Sequence, residues 1–231
     1  MLIPTTSLSG QSVRVITMFK FVVAVKSWII NLGLMTRSSK YKKWENRRYS
    51  SPAPNFVKHS VLLRNCFPNA VWVETGTYFG ETTEMLSKLA DEVYSIEPDP
   101  LLFQLAIKKF KLQPNVKIIK GLSEETLPSL LPNLSGKINF YLDGHYSGGD
   151  TFQGPKDTPI IDELNCISRN LKRFDDVCIM IDDVRCFNPN ISQYSSYPSL
   201  SWLVNWADRN KLVWTIEHDI FVAATSHQLP N

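Results

Sequence analysis

The sequence predicts an α/β protein built on a doubly wound, mostly parallel sheet of seven strands, with helices on both faces and an antiparallel last strand. Three observations carry this expectation. From residue 56 onward, helix-like and strand-like patterns alternate with short connections, as they do when crossover helices join parallel strands. The apolar strand runs repeatedly end on acids, at Glu74, Glu97, Asp143 and the pair Asp182 and Asp183. The last two strand-like runs are joined only by Glu217, His218 and Asp219, a link that permits a hairpin and forbids a parallel crossover.

Each element has its own signal. A helix is expected over residues 55–66. The first strand, 70–74, is a short buried pattern (Val71, Trp72, Val73) that turns through Gly76 and Gly80 into a helix over 80–90. Strand 92–96, helix 100–111, strand 116–120 and a short helix over 123–131 follow. Strand 137–142 stops at Asp143 and opens a loop, 144–156, carrying Gly148, Gly149 and Gly154 beside Tyr146 and Phe152. The glycines would let such a loop close as a lid and the aromatics would shield a site from water, although an ordinary surface loop fits the same residues. The next helix should begin near Asp157 or Thr158 as cap, with Pro159 in its first turn where a missing N–H is harmless. Strand 177–181, helix 200–209 and the hairpin 212–216 and 220–224 complete the pattern.

Length and charge divide the chain. Its 231 residues suit one α/β domain (55–231) with an N-terminal extension (1–54). Residues 1–50 hold nine basic side chains against Glu45 alone, a charge of +8, whereas the remainder carries 16 basic and 21 acidic residues, or −5. An acidic body argues against a broad nucleic-acid groove, so no nucleic-acid partner is expected. The apolar stretch 13–35 is broken by Arg14, Lys20 and Lys26, and its longest uncharged run, 27–36, is too short to span a bilayer. Expected roles for it are a membrane-surface contact, a lid, or pairing in a homo-oligomer. Cys66, Cys166, Cys178 and Cys186 lack paired spacing and read as reduced thiols, consistent with a cytoplasmic protein that could also sit peripherally at a membrane.

The acids carry the candidate chemistry. In open α/β sheets, ligands bind outside the carboxyl ends of the strands. A glycine turn between a strand and a helix places backbone N–H groups around a nucleotide-like cofactor. Glu74 at that turn would repel a pyrophosphate and attract an ammonium or sulfonium group, both of which S-adenosylmethionine carries. Glu97 can accept hydrogen bonds from a ribose, which suits a nicotinamide dinucleotide equally, but the turn lacks the third glycine of the dinucleotide fingerprint. Asp143, Asp182 and Asp183, converging without cysteine, suit a hard cation such as Mg²⁺. His145 could accept a proton from a substrate hydroxyl at neutral pH, and a structural histidine fits the same position.

With these residues in place, the chain resembles the class I S-adenosylmethionine-dependent methyltransferases, a Rossmann-like group, over about residues 55–225. The marks are ETGTYFGETT, YSIEPD, IIKGLS, YLDGHYSGG, IDDVRCF and the final hairpin. Within that group, Asp143 with Asp182 and Asp183 looks like the metal triad of the macrocin and aminocoumarin sugar O-methyltransferases. The resemblance implies S-adenosylmethionine held by Glu74, Gly76, Thr77, Tyr78, Gly80, Glu97, Pro98, Leu122, Ser123 and Asp143. It further implies Mg²⁺ on Asp143, Asp182 and Asp183, with His145 and Asp143 as catalytic groups. The acceptor would be a small molecule, a sugar or lipid-linked sugar being favoured. Leu122 stands where many members carry an acid, so adenine contact would rest on the backbone near Leu122 and Ser123. A non-catalytic cofactor-binding module that kept the fold, or a nicotinamide-dependent oxidoreductase, is the alternative.

Overall fold

The computed structural model of the chain describes residues 36–144 and 158–225. Two compact units divide between Ser50 and Ser51. In the first, residues 36–46 are helical (α1), and Tyr41, Trp44 and Tyr49 pack edge to face with ring centroids 5.0–6.3 Å apart. The Trp44 indole N–H donates to Ser50 O at 3.0 Å. Among the described residues no helix is long and apolar enough to cross a membrane.

The second unit holds the seven-stranded sheet, in the order β3-β2-β1-β4-β5-β7-β6. Its strands are β1 Val71–Thr75, β2 Val93–Glu97, β3 Val116–Lys120, β4 Gly136–Leu142, β5 Phe174–Ile181, β6 Val213–Glu217 and β7 Ile220–Ala224. Pairings among β1 to β5 are parallel, and β7 runs antiparallel to both β5 and β6. The expected antiparallel last strand is therefore present, inserted between its neighbours. Composition explains the placement. All five residues of β7 (Ile220, Phe221, Val222, Ala223, Ala224) are buried, as a strand flanked on both edges and both faces requires. Val213, Trp214 and Ile216 of β6 stay exposed, and β6 takes the edge.

The helices are α2 Asn55–Asn65, α3 Glu81–Leu86, α4 Pro100–Phe110, α5 Ser123–Leu130, α6 Ile160–Asn170 and α7 Leu200–Arg209. Strand alternation assigns the two cores. Phe140 and Leu142 of β4 and Ile179 and Ile181 of β5 cluster with Leu127, Leu164, Ile167, Leu203 and Trp206 of α5, α6 and α7. Tyr141, Cys178 and Met180, one residue out of phase, cluster with Val61 and Leu62 of α2 and Leu86 of α3. Each fully buried aliphatic side chain contributes about 1.5–3 kcal/mol. All four cysteines are free thiols, and burial raises the pKa of each.

Several boundaries differ from expectation for visible reasons. β1 continues to Thr75, which pairs with Ile96 and Leu142, so Glu74 lies inside the strand. α3 stops at Leu86, where the ladder tightens into turns with Lys88 N donating to Met85 O at 3.3 Å and Leu89 N to Leu86 O at 3.0 Å, and Asn115 Nδ2 donates to the carbonyls of Ser87 and Ala90 at 2.8 and 3.2 Å. Pro159 is the cap of α6 and not part of its first turn, and Thr158 Oγ1 accepts the Ile160 N–H at 3.3 Å. Asp99 caps α4 by accepting from Leu101 and Leu102 at 2.8 and 2.9 Å, with Pro100 at the first helical position. A buried amide, Asn139, accepts from Phe67 N and donates to Phe67 O, both at 2.9 Å, pinning the segment between α2 and β1 to the centre of the sheet.

Candidate active site

β1 is the strand from which the sheet grows both ways, towards β2 and β3 on one side and towards β4 and β5 on the other. That reversal opens a crevice between the carboxyl ends of β1 and β4. The two ends touch there. Asp143 N–H donates to Thr75 O at 3.1 Å, and a Cβ on Gly76, whose φ is +86°, would lie 2.7 Å from Asp143 O. Only glycine meets both demands.

The turn between β1 and α3 is tied to its neighbours. Gly76 and Thr77 donate to Ile96 O at 3.0 and 3.3 Å, and Gly80 donates to Thr77 O at 2.8 Å. The expectation that Gly76 offers its N–H to a ligand is corrected, because the ladder to β2 runs on past the strand and takes this donor. Lys109 Nζ holds the carbonyls of Phe79 and Gly80 at 3.0 and 2.9 Å, and Gly80, with φ +69°, packs where a Cβ would meet Phe110 at 2.8 Å. Tyr78 and Phe79 present exposed rings 4.3 Å apart on the outside of the turn.

Glu74 is 1% exposed, and its Oε2 accepts from the hydroxyls of Thr83 and Ser95, each at 2.5 Å. Burial raises its pKa from 4.5 to about 7, against the opposing effect of those two hydroxyls. Glu74 Oε1 and Thr75 Oγ1, both buried, have no hydrogen-bond partner among the described residues. An acceptor of this kind suits a ligand that brings a cationic donor more than one that brings a pyrophosphate.

Glu97 closes the end of β2. Its Oε2 accepts from Tyr78 N at 2.7 Å and its Oε1 from Asp99 N at 2.9 Å, and burial raises its pKa against those bonds. Gly121 N donates to Glu97 O at 3.2 Å, which sets Leu122 and Ser123, at the start of α5, beside the Glu97-Pro98 corner. Thr77, Tyr78, Gly80, Glu97, Pro98, Leu122, Ser123 and Asp143 thus lie on the carboxyl-end rim of adjoining strands. His145 and the loop 145–156 lie outside the described residues.

The acidic trio is not a metal cage. Asp182 Oδ2 accepts from Tyr141 O–H at 2.8 Å and from Lys58 Nζ, while its Oδ1 accepts from Asp183 N at 2.8 Å. Asp183, at φ +60°, pairs with Arg185 and lies 3.5 Å from Lys58 Nζ. Arg185 also pairs with Asp219 of the β6-β7 turn. Asp143 Oδ2 is 3.2 Å from Tyr141 O–H. Burial raises the Tyr141 pKa well above its ordinary value, with Asp143 and Asp182 adding to it, so the phenol stays a donor. Among the described residues no three histidine, cysteine or carboxylate side chains form a metal-binding group. The Mg²⁺ expectation does not fit, because Lys58 and Arg185 already pair with Asp182 and Asp183, two of the three carboxylates that would hold it.

Lys58, Tyr141, Arg185 and Asp219 are the site residues that sequence reasoning missed. Two had readable signals. Lys58 shares the 58, 61, 62, 65 face of α2 with Val61, Leu62 and Asn65, and Tyr141 shares the strand face of Asp143 two residues on.

No protein-family model matches the sequence. No curated protein matches it. Among solved structures it is similar to an O-methyltransferase from Bacillus cereus in complex with SAH, at 15% identity over 81% of this chain and 88% of that one, with a TM-score of 0.49. The N-methyltransferase NodS from Bradyrhizobium japonicum WM9 gives 12% identity over 72% and 92%, also with a TM-score of 0.49. An rRNA methylase from Streptococcus thermophilus gives 16% over 76% and 96%, with a TM-score of 0.45.

Proposed function

We propose that the chain is an S-adenosylmethionine-dependent methyltransferase acting on a hydroxyl of a sugar or other small polyol. One observation carries the reading. The glycine turn after β1, the acid ending β2 and the acid following β4 meet at the switch point of a sheet whose last strand is inserted antiparallel. The rival dinucleotide-binding arrangement continues its sheet with a further strand in the order 3-2-1-4-5-6 and carries a third glycine in its turn.

Glu97 would hold the ribose, with Leu122 and Ser123 beside the adenine and Tyr78 and Gly80 lining the turn. When bound, S-adenosylmethionine supplies an electrophilic methyl group whose departure leaves a neutral thioether, so no protein acid is required. The protein must orient the acceptor hydroxyl and remove its proton. Asp143 stands at the crevice as one acceptor for that proton, and His145, two residues on, is the other. Tyr141, held as a donor by its raised pKa, fixes the Asp182 carboxylate beside Asp143.

Calorimetric titration with S-adenosylhomocysteine tests the reading. Micromolar binding is expected, weakened at least tenfold in Glu97→Ala, and methyl-labelled cofactor offered with a panel of sugars and polyols would then identify the acceptor. Binding of a nicotinamide dinucleotide in place of S-adenosylhomocysteine would refute it.

A further inference from the structure

We propose that Lys58 is the resident cation of the acidic rim, seated against Asp182 and Asp183 where a divalent ion would otherwise sit, and that these carboxylates take up such an ion only when Lys58 is removed. The placement begins with helical spacing. Residues 58, 61, 62 and 65 share one face of α2, and Val61, Leu62 and Asn65 are buried on it, so the packing that seats the helix also delivers the lysine to the ends of β4 and β5.

What Lys58 meets there is specific. Its ammonium donates to Asp182 Oδ2 and lies 3.5 Å from Asp183 Oδ1. Its side chain is 14% exposed and that of Asp182 is fully buried. Burial alone would lower the Lys58 pKa, yet the charges of Asp182, Asp143 and Asp183 outweigh it and raise the pKa above its ordinary value. The other carboxylate contacts are also taken, Asp182 by Tyr141 and the Asp183 N–H, and Asp183 by Arg185, which bridges on to Asp219.

Mg²⁺ needs oxygen ligands converging at about 2.0–2.1 Å in a near-octahedral shell. Carboxylates arranged around an ammonium and a guanidinium at hydrogen-bond distances do not provide it. Removing Lys58 leaves Asp182 as a buried charge without its counter-ion, which a divalent cation can then neutralise.

The experiment is a Mn²⁺ and Mg²⁺ titration followed by calorimetry and thermal denaturation, on the full chain and without any acceptor. Its failure is thus separable from failure of the cofactor reading. The unaltered protein should show no Mn²⁺ binding below millimolar concentration and no change in Tm with Mg²⁺ or EDTA. Lys58→Met should lose Tm, regain part of it with Mg²⁺, and bind Mn²⁺ at least tenfold more tightly than the unaltered chain. Should Lys58→Met fail to fold, the double variant Lys58→Met with Asp182→Asn removes both charges, and it should fold without gaining metal. Submillimolar Mn²⁺ binding by the unaltered protein overturns the proposal, as does a folded Lys58→Met with no gain in affinity.

Discussion

Replacing Gly76 by alanine tests whether the crevice between β1 and β4 is as tightly built as the geometry requires. Two costs add. At φ +86° an L-residue loses about 1–2 kcal/mol relative to glycine. The new Cβ would also lie 2.7 Å from Asp143 O, a backbone atom that moves only if the end of β4 moves, and overpacking of this kind costs about 1–3 kcal/mol. The sum is about 2–5 kcal/mol, a sizeable part of the roughly 5–15 kcal/mol that holds a domain folded. Gly136 is the internal control, because its φ is +80° but a Cβ added there would meet nothing within 4 Å, so Gly136→Ala should lose the backbone cost alone. Urea unfolding followed by tryptophan fluorescence reads both variants, and with a slope of about 2–3 kcal/mol/M, the upper part of the usual range, the Gly76→Ala midpoint should fall by about 1–2.5 M. Equal losses in the two variants, or a Gly76→Ala loss under about 1 kcal/mol, would refute the close-contact argument.

Glu74 makes a prediction about pH. Its folded pKa of about 7 stands above the ordinary 4.5, so between those values the folded state holds a proton that the unfolded state has released. Its contribution is fully present below pH 4.5 and is lost as pH rises through about 7, a decline of about 3 kcal/mol. Unfolding free energies measured from pH 4.5 to 8 should show this decline in the unaltered chain and a flatter profile in Glu74→Gln. Asn139→Ala strips partners from both the N–H and the carbonyl of Phe67, and should cost about 2–5 kcal/mol in the same denaturation assay. A loss below about 1 kcal/mol there would mean that water reaches Phe67.

Much of the fold could be read from local pattern. Val71 to Val73 and Val177 to Ile181 are short apolar runs bounded by turns, and each lies in a strand. The hairpin was legible because three residues cannot make a crossover. What local pattern does not contain is which hairpin strand meets β5, since that depends on whether the five apolar residues of β7 can be covered on every side. The site divides in the same way. Acids at strand ends were visible, and Glu97, Asp143, Asp182 and Asp183 do line the rim. Their partners come from distant segments: Lys58 from α2 reaches Asp182 across 124 positions, and Asp219 reaches Arg185 across 34. Three clustered acids suggested a missing metal because Lys58, which pairs with Asp182 and lies 3.5 Å from Asp183, stands far away in the chain.

The position of β7 also sets the order in which the molecule can be completed. One edge of β5, with Val177, Cys178, Ile179, Met180 and Ile181, has no hydrogen-bonding partner until Ile220–Ala224 arrives, after the whole of α7 and β6 has been made. During synthesis on the ribosome, the nascent chain therefore carries an open apolar strand edge of the kind that recruits other chains. Arrest or cleavage before residue 220 would leave it permanently open, and such fragments should aggregate even though most of the sheet and its crevice are already in place.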